Sequence, residues 1–234
     1  MDYVLLKEVA SLERGVSFKD YDLHDRLDEN SIALLKNNNI NDDGTISISN
    51  IIYVDKSKVS ESQILRKGDI IVCASGSESL VGKAAQFNLD GEYTFGAFCK
   101  VVRPHSINSN YLGCYFVSQK YRKIMSSVAS GAIMKNLRNE HLLELQIPMH
   151  KESEQIKISD EISKIDNLIT LKNSQMDKYS ELICSKYNEM FETEEGKNLL
   201  KEWGIPESYK GIGNCILGYP VDKTDKVPSP RKEN

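Results

Sequence analysis

The residues best suited to binding chemistry lie in one short segment, Gly131 to Arg138. Its glycine allows the backbone to approach a phosphate closely, while Lys135, Asn136 and Arg138 supply groups that bond phosphates or base edges. In the major groove of DNA, the asparagine amide fits adenine and the arginine guanidinium fits guanine. The segment therefore predicts a loop that contacts DNA. The competing interpretation is an ordinary loop with solvated charges.

This segment belongs to a longer region, residues 93–139, that contains no Asp or Glu. Residues 1–92 carry a formal charge of −6, the acid-free region carries +7 and residues 140–234 carry −5, so the total of −4 conceals a polarised chain. The cations of the acid-free region are Lys100, Arg103, Lys120, Arg122, Lys123, Lys135 and Arg138. Because phosphate neutralisation dominates affinity for nucleic acids, this pattern favours a polyanion as the ligand.

Motifs for catalysis are incomplete. The run from Gly76 to Ala84 resembles a nucleotide-binding P-loop, but five residues separate its glycines and Ala84 replaces the Ser or Thr that would hold magnesium. We interpret it as a Gly/Ser loop whose backbone amides, with Lys83, approach a DNA phosphate. Glu195-Gly196-Lys197 lacks the Pro-Asp partner of a nuclease signature, and the chain has no methyltransferase tetrapeptide or Gly-rich cofactor loop. The sequence predicts a protein without catalytic residues and without a cofactor.

Metal and membrane sites are also disfavoured. The five cysteines and four histidines form neither a CxxC nor an HxxxH pair, so we predict no metal site and reduced thiols in a cytoplasmic protein. No apolar run approaches the roughly 18 residues of a membrane span, and the N-terminus lacks the blocks of a secretion signal. We therefore expect no interaction with a membrane.

Residues 1–150 have the pattern of a mostly β domain with short helices, and the predicted fold class is α+β. Helical periodicity with basic residues near its C-terminal end predicts a helix over 111–125. Turns rich in Asn, Asp, Lys and Gly are predicted at 41–44 and 67–69, and strands are predicted at 46–49, 70–72, 98–102 and 142–147.

Residues 151–192 predict one long helix, because apolar residues recur every seven positions and neither Gly nor Pro interrupts them. Such a helix is about 60 Å long at roughly 1.5 Å per residue. The heptad positions are Ile162, Ile169, Met176, Ile183 and Met190. Strict heptads favour a coiled coil with a partner helix, and the alternative is a lone helix packed on its own domain. Residues 193–234 are rich in Gly and Pro and predict a loop-rich tail.

In their order and spacing, these features resemble the specificity subunit of type I restriction–modification enzymes, as one target-recognition domain followed by its spacer helix. The resemblance covers most of residues 1–191. The matching motifs are Val4-x-Leu6, Arg14-Gly15, Asn39-Ile40-Asn41, Asp43-Gly44, Leu65-x-Lys67-Gly68-Asp69-Ile70-Ile71, Gly82-Lys83, Gly131-x-x-x-Lys135-Asn136-Leu137, Leu142-x-x-Leu145-x-Ile147-Pro148, Glu154-Gln155-x-x-Ile158 and Ile165-Asp166. Where this chain has Met149-His150, the family usually has further prolines.

The resemblance implies a non-catalytic module that reads double-stranded DNA and binds modification subunits, and through them restriction subunits. Family members usually carry two recognition domains and two spacer helices packed antiparallel, whereas this chain has one of each. We therefore expect a homodimer, or pairing with a second half-subunit through 151–192. Each half reads one part of a bipartite site through 1–150.

The residues expected to contact DNA are Lys83, Lys120, Arg122, Lys123, Lys135, Asn136 and Arg138. The alternative function is a coiled-coil adaptor that binds proteins and not DNA. The tail has a resemblance of its own, since Gly204-Ile205-Pro206 and Leu217-Gly218-Tyr219-Pro220 are similar to the end of flavin-dependent nitroreductases. Because the rest of that fold is missing, we expect no flavin site.

Overall fold

The computed structural model describes residues 2–77, 79–129, 135–191 and 198. The chain divides into two compact units, Met1–Ser163 and Lys164–Asn234. The strands are β1 (Asp2–Leu5), β2 (Ala10–Arg14), β3 (Leu23–His24), β4 (Ser31–Leu35), β5 (Ile52–Asp55), β6 (Ile70–Cys73), β7 (Ser75–Gly76), β8 (Ala84–Gln86), β9 (Tyr93–Phe95), β10 (Cys99–Pro104), β11 (Lys135–Asn136) and β12 (Gln146–Met149). The α-helices are α1 (Leu6–Val9), α2 (Ser109–Val117), α3 (Gln119–Ala129), α4 (Asn139–Leu143) and α5 (Glu152–Phe191). Short strands followed by one long helix confirm the predicted α+β class.

The core of the first unit is built on an antiparallel sheet in the order β2-β10-β6-β8. All of β6 is buried, and its residues alternate between two hydrophobic clusters. Ile70 and Val72 join the cluster formed with α2 and α3, whereas Ile71 and Cys73 join the cluster that contains Phe95. A strand that is covered on both faces is apolar at every position. This is why the run at 70–72 could be recognised from sequence.

A second sheet has the order β3-β5-β4-β9, in which β9 is parallel to β4 and the other neighbours are antiparallel. All of β4 is buried, including Ser31, whose hydroxyl donates to the carbonyl of Arg26 at 3.2 Å. The sequence alone does not predict a strand at 31–35, because a short apolar run fits a buried helix equally well.

Residues 46–49 do not form the strand that their alternation predicts. Ile48 is exposed. The Asn39 amide, which is buried, donates to the carbonyls of Ser47 at 2.9 Å and Ser49 at 3.1 Å. A side chain thus supplies the hydrogen bonds that a neighbouring strand would supply, and the prediction was wrong.

The helix predicted over 111–125 is divided into α2 and α3 at Ser118. Ser118 has extended backbone angles (φ −68°, ψ 151°), and its hydroxyl oxygen accepts from the backbone N–H of Tyr121 at 3.3 Å. A serine in this position starts a new helix. Arg122 and Lys123 consequently lie near the N-terminal end of α3, where the helix dipole disfavours cations. The prediction that they lie near the C-terminal end of a helix was wrong.

A buried ion pair joins β10 to the turn that precedes β6. The Arg103 guanidinium donates to both carboxylate oxygens of Asp69, at 3.0 Å and 2.7 Å, and the two side chains are 13% and 2% exposed. The same guanidinium donates to the carbonyls of Ser62 at 3.1 Å and Ile64 at 2.8 Å. The hydrogen bonds to Asp69 raise the pKa of Arg103 above its ordinary value, so that the guanidinium stays charged.

One short ladder joins the first and last strands of the first unit, since β12 pairs antiparallel with β1. After β12 the chain enters α5, and the buried Gln155 fixes its first turn. Its Oε1 accepts from the backbone N–H of Asn108 at 2.9 Å, and its Nε2 donates to the carbonyl of His150 at 2.9 Å. The 40 residues of α5 are continuous, about 60 Å in length, which confirms the predicted long helix.

The apolar heptad positions of α5 are largely exposed. Ile162 is half-buried, whereas Ile169, Met176 and Ile183 are 53%, 64% and 50% exposed. The Met190 side chain and, apart from residue 198, the predicted tail with its nitroreductase-like motifs lie outside the described residues. Within the described part of the chain, no helix combines the length and the apolar character needed to cross a membrane.

We expect Asp69→Ala to lower the free energy of unfolding by about 3 kcal/mol, because it leaves a guanidinium that is only 13% exposed without its carboxylate. Urea unfolding followed by circular dichroism measures this change. Asp90→Ala is the matched control: it removes an exposed carboxylate that lies 2.6 Å from Lys67 Nζ, and stability should hardly change. Equal losses in the two variants would show that the Arg103–Asp69 pair has no special part in the fold.

Candidate nucleic-acid interface

Two of the predicted DNA contacts, Lys83 and Arg122, meet at one carboxylate. Asp42 Oδ1 lies 2.9 Å from Lys83 Nζ and 3.6 Å from Arg122 Nη2. The Asp42 side chain is 76% exposed, whereas those of Lys83 and Arg122 are 12% and 37% exposed. Two cations converging on one exposed carboxylate form an anion-binding position of the kind that a phosphate takes. In the free protein Asp42 occupies this position.

Two glycines bring the three segments of this cluster together. A Cβ at Gly44 would lie 2.4 Å from Val117 Cγ1, so the turn that carries Asp42 lies directly against the end of α2. A Cβ at Gly82 would lie 2.6 Å from Met125 Cβ, so the chain before β8 lies directly on α3. Both glycines have φ of 82°, a left-handed conformation that other residues rarely adopt. The cluster therefore depends on glycine at both positions.

The other two predicted contacts on α3 do not join this cluster. Lys120 Nζ lies 4.9 Å from the centre of the Tyr3 ring, and Lys123 is exposed. Successive residues of a helix are rotated by about 100°, so Lys120 and Lys123, three residues apart, are neighbours on the surface of α3, and Arg122 lies about 100° further round from Lys123. The buried Tyr121 lies between the directions of Lys120 and Arg122. On the opposite side of the helix Lys123 lies between Lys120 and Arg122, so the three cations share the surface of α3 that faces away from Tyr121.

The predicted loop at 131–138 is described only from Lys135 onward. Lys135 and Asn136 form β11, which pairs antiparallel with Gly76 and Ser75 of β7. Asn136 and Arg138 are exposed. The described part of the loop is therefore a short ladder beside the Gly/Ser segment that begins at Gly76, and the two segments interpreted from sequence as approaching DNA are neighbours.

Two cations of the acid-free region serve the fold and not a surface. Arg103 is paired with Asp69, and Lys100 Nζ donates to the carbonyl of Leu137 and to Asn139 Oδ1, both at 2.6 Å. Burial lowers the pKa of Lys100. Lys100 thereby fastens the segment after β11 to β10. A charge count cannot separate such cations from exposed ones, because each contributes the same charge.

Sequence reasoning missed a second polar surface, where three segments meet at Ser75. Asn37 Nδ2 donates to the Ser75 carbonyl at 3.3 Å, the Ser75 N–H donates to the Phe98 carbonyl at 3.1 Å, and Asn136 is paired with Ser75 across the β7–β11 ladder. Phe98 is 63% exposed. The sequence shows the asparagines at 37–39 and an aromatic residue, Phe98, shortly after Gly96. It does not show which strands pair, and strand pairing is what brings these residues together at Ser75.

The thiols of the core are unsuited to chemistry. Cys73 and Cys99 are buried and lie opposite each other in β6 and β10. Their mutual hydrogen bond and burial raise the pKa of Cys99 well above its ordinary value, which keeps the thiol protonated and unreactive. Over the described ranges, no three His, Cys, Asp or Glu side chains are grouped so as to hold a metal ion.

The chain matches proteins that share this organisation. The family profile described as type I restriction modification DNA specificity domain matches residues 1–178. The chain is 34% identical over 163 residues to the type I restriction enzyme StySPI specificity subunit of Salmonella potsdam, which covers 69% of this chain and 34% of that protein. It is 32% identical over 176 residues to the EcoKI specificity subunit of Escherichia coli (strain K12), which covers 74% of this chain and 37% of that protein.

Among solved structures, the S subunit of the type I restriction–modification system from M. genitalium has a TM-score of 0.54 at 18% identity, over 89% of this chain and 50% of that chain. At this identity the likeness shows a shared fold. Fold and profile together define a protein of the type I restriction–modification class. The chain belongs to the type I restriction–modification DNA specificity domain family, and it spans 34–37% of the length of the two relatives.

We expect Asp42→Asn to bind polyanions roughly two- to tenfold more tightly, because Lys83 and Arg122 lose the carboxylate that competes for them. The variant should elute from immobilised heparin at higher salt than the wild type. Asp90→Asn, the matched control, removes the same charge beside Lys67 and should give a smaller shift. Equal shifts would show that Asp42 acts only through the net charge.

Proposed function

We propose that this chain is the DNA-recognition part of a type I restriction–modification enzyme and reads one half of a bipartite site in double-stranded DNA. The observation that carries the proposal is the family match, which spans the first unit and part of α5. The relatives are named as specificity subunits of type I restriction enzymes. Other subunits perform catalysis in this proposal, and the chain supplies the choice of sequence.

The phosphate contacts in this proposal come from cations outside the core. Lys123 and Arg138 are exposed, so a phosphate reaches them directly. Lys83 and Arg122 become available when a phosphate displaces Asp42. The full set of proposed contacts is Lys83, Lys120, Arg122, Lys123, Lys135, Asn136 and Arg138. Asn136 is the member of this set whose amide suits a base edge.

The partner contacts in this proposal come from α5. Its exposed apolar side chains include Leu168, Ile169, Met176, Leu182 and Ile183, each at least 50% exposed. Covering such a side chain is worth about 1.5–3 kcal/mol, so a helix of this kind is stabilised by a partner. We assign this seam to a second half-unit, either another copy of the chain or a separate one, and to modification subunits that in turn bind restriction subunits.

A two-fold pair of such helices also sets the distance between half-sites. A helix of about 60 Å corresponds to roughly 18 base-pair steps of about 3.4 Å. Symmetric pairing would make the two half-sites inverted repeats separated by a spacer that is not read.

We expect the double variant Lys135→Ala, Arg138→Ala to bind DNA roughly tenfold more weakly at physiological salt, because it removes two phosphate contacts. The slope of log affinity against log salt should become shallower by about two. Fluorescence anisotropy of a labelled duplex, with the chain bound to its modification subunit, measures both quantities.

The matched control for this variant is Lys56→Ala with Lys67→Ala, which removes the same charge from lysines that pair with acidic neighbours. Its affinity should stay close to that of the wild type. Unchanged affinity of the Lys135/Arg138 variant would exclude the segment after residue 134 as a DNA contact. Wild-type binding with little salt dependence would instead favour the protein-binding adaptor.

We expect Ile169→Asp with Ile183→Asp to abolish assembly through α5, because charges replace apolar side chains on its seam. Light scattering of the purified chain, alone and with its modification subunit, should then give the mass of the separate components. Asn167→Asp with Ser174→Asp places the same charges on the opposite side of the heptad and should leave the assembly intact. Loss of assembly in both variants, or in neither, would contradict the assignment of the seam.

A further inference from the structure

A groove of about 500 Å³ opens between the segment that follows β4 and the turn that follows β9. Ser17, Lys36, Asn37 and Asn38 contribute its polar side chains, and Phe18 and Phe98 contribute two aromatic rings. Among the described residues, no Asp or Glu lines it. The lining thus combines side-chain amides, a cation and apolar surface, which are the groups that recognise base edges in duplex DNA.

Phe98 is placed at this groove by its backbone. Its carbonyl accepts from the N–H groups of Ala74 at 2.8 Å and Ser75 at 3.1 Å, and the N–H of Gly96 donates to the Leu35 carbonyl at 2.9 Å. The ring is 63% exposed, although the backbone of its turn is hydrogen-bonded to the end of β4 and to the residues that lead from β6 into β7. A ring held in this way is preorganised for a ligand, because binding requires little further ordering of the chain.

Asn38 carries the amide of the groove that is available to a ligand. The buried Asn39 accepts from the Lys36 N–H at 2.8 Å, and the Asn37 amide donates to the Ser75 carbonyl at 3.3 Å. These two neighbours fix the short helical turn that contains Asn38. Asn38 itself is exposed, and within the described residues its side-chain amide has no hydrogen-bond partner.

The groove adjoins the segment that we propose to bind phosphates. Ser75 accepts from Asn37 on the groove side and is paired with Asn136 on the other. Its strand therefore connects the groove to β11 and Lys135, and Lys36 adds a cation to the groove itself. The groove and β11 therefore flank the same strand, and a ligand bound at β11 lies beside the groove.

We propose that this groove reads A·T base pairs in the major groove of the target. The Asn38 amide donates to N7 of adenine and accepts from its N6 amino group, and the Phe98 ring contacts the methyl group of thymine. The proposal rests on the proposed function, because it takes duplex DNA as the ligand. It assigns sequence choice to residues 36–38 and 98, outside the segment that the sequence singled out.

The experiment selects bound sequences from a randomised duplex pool, using the chain with its modification subunit. The wild type should select a half-site that contains A·T pairs. Asn38→Ala and Phe98→Ala should each lose the preference at one or two of these pairs, with roughly 5- to 100-fold weaker binding to the selected site. Binding to unrelated duplex DNA, and its salt dependence, should stay as in the wild type because the phosphate contacts are intact.

Asn38→Asp tests the same assignment through a change of preference, so it does not depend on the stability of the alanine variants. A carboxylate accepts from the N4 amino group of cytosine, and the selected base should shift from adenine toward cytosine. Asn88→Ala and Tyr21→Ala are the matched controls, because both residues are exposed and neither lines the groove. Both controls should select the wild-type sequence.

The outcomes separate this proposal from the proposed function. A wild-type complex that selects no sequence overturns the proposed function and this inference together. A selective wild type, with groove variants that choose the same sequence at wild-type affinity, overturns only the reading role of the groove. Equal weakening on every duplex, with unchanged thermal melting, makes the groove a phosphate contact and also overturns the reading role.

Discussion

The buried pair of Arg103 and Asp69 is the interaction on which the first unit depends. It ties β10 to the turn before β6 and to the carbonyls of Ser62 and Ile64. β10 and β6 are the inner strands of the main sheet, and α2 and α3 pack on one of its faces. Breaking such a pair leaves one buried charge without a counter-charge, which proteins tolerate poorly. Arg103 and Lys100 are bonded within the fold, so they should be left out when the charge available to a ligand is counted.

Helices and strands that are specified by the pattern of their own residues could be predicted from the sequence. The heptads predicted α5, and the apolar run at 70–72 predicted β6. Errors arose where a single polar side chain replaces a regular partner: the Asn39 amide takes the role of a strand beside 46–49, and the Ser118 hydroxyl begins a second helix within an apparently continuous pattern. Side chains of these types are common in loops and on helix surfaces, so their type alone does not reveal these roles.

The candidate interface was less predictable than the fold, because its contacts join residues that are far apart in the chain. Asp42 lies in an acidic part of the sequence, yet it neutralises Lys83 and Arg122. Asn37 and Phe98 become neighbours through the pairing of β4 with β9 and through their hydrogen bonds to Ser75. The acid-free region includes the segment around β11, which stays a predicted DNA contact. It gave no sign that Lys100 and Arg103 are bonded to other parts of the fold, or that an asparagine outside the region adjoins the same ladder.

The ladder formed by β1 and β12 brings the two ends of residues 2–149 together. The two strands run side by side, and the Leu6 N–H donates to the Leu145 carbonyl at 2.9 Å, so the polypeptide enters and leaves at points about 5 Å apart. Under the proposed function, replacing residues 2–149 by another segment that closes the same ladder would install a new target preference while the sequence of α5, and with it the choice of partners, is inherited unchanged.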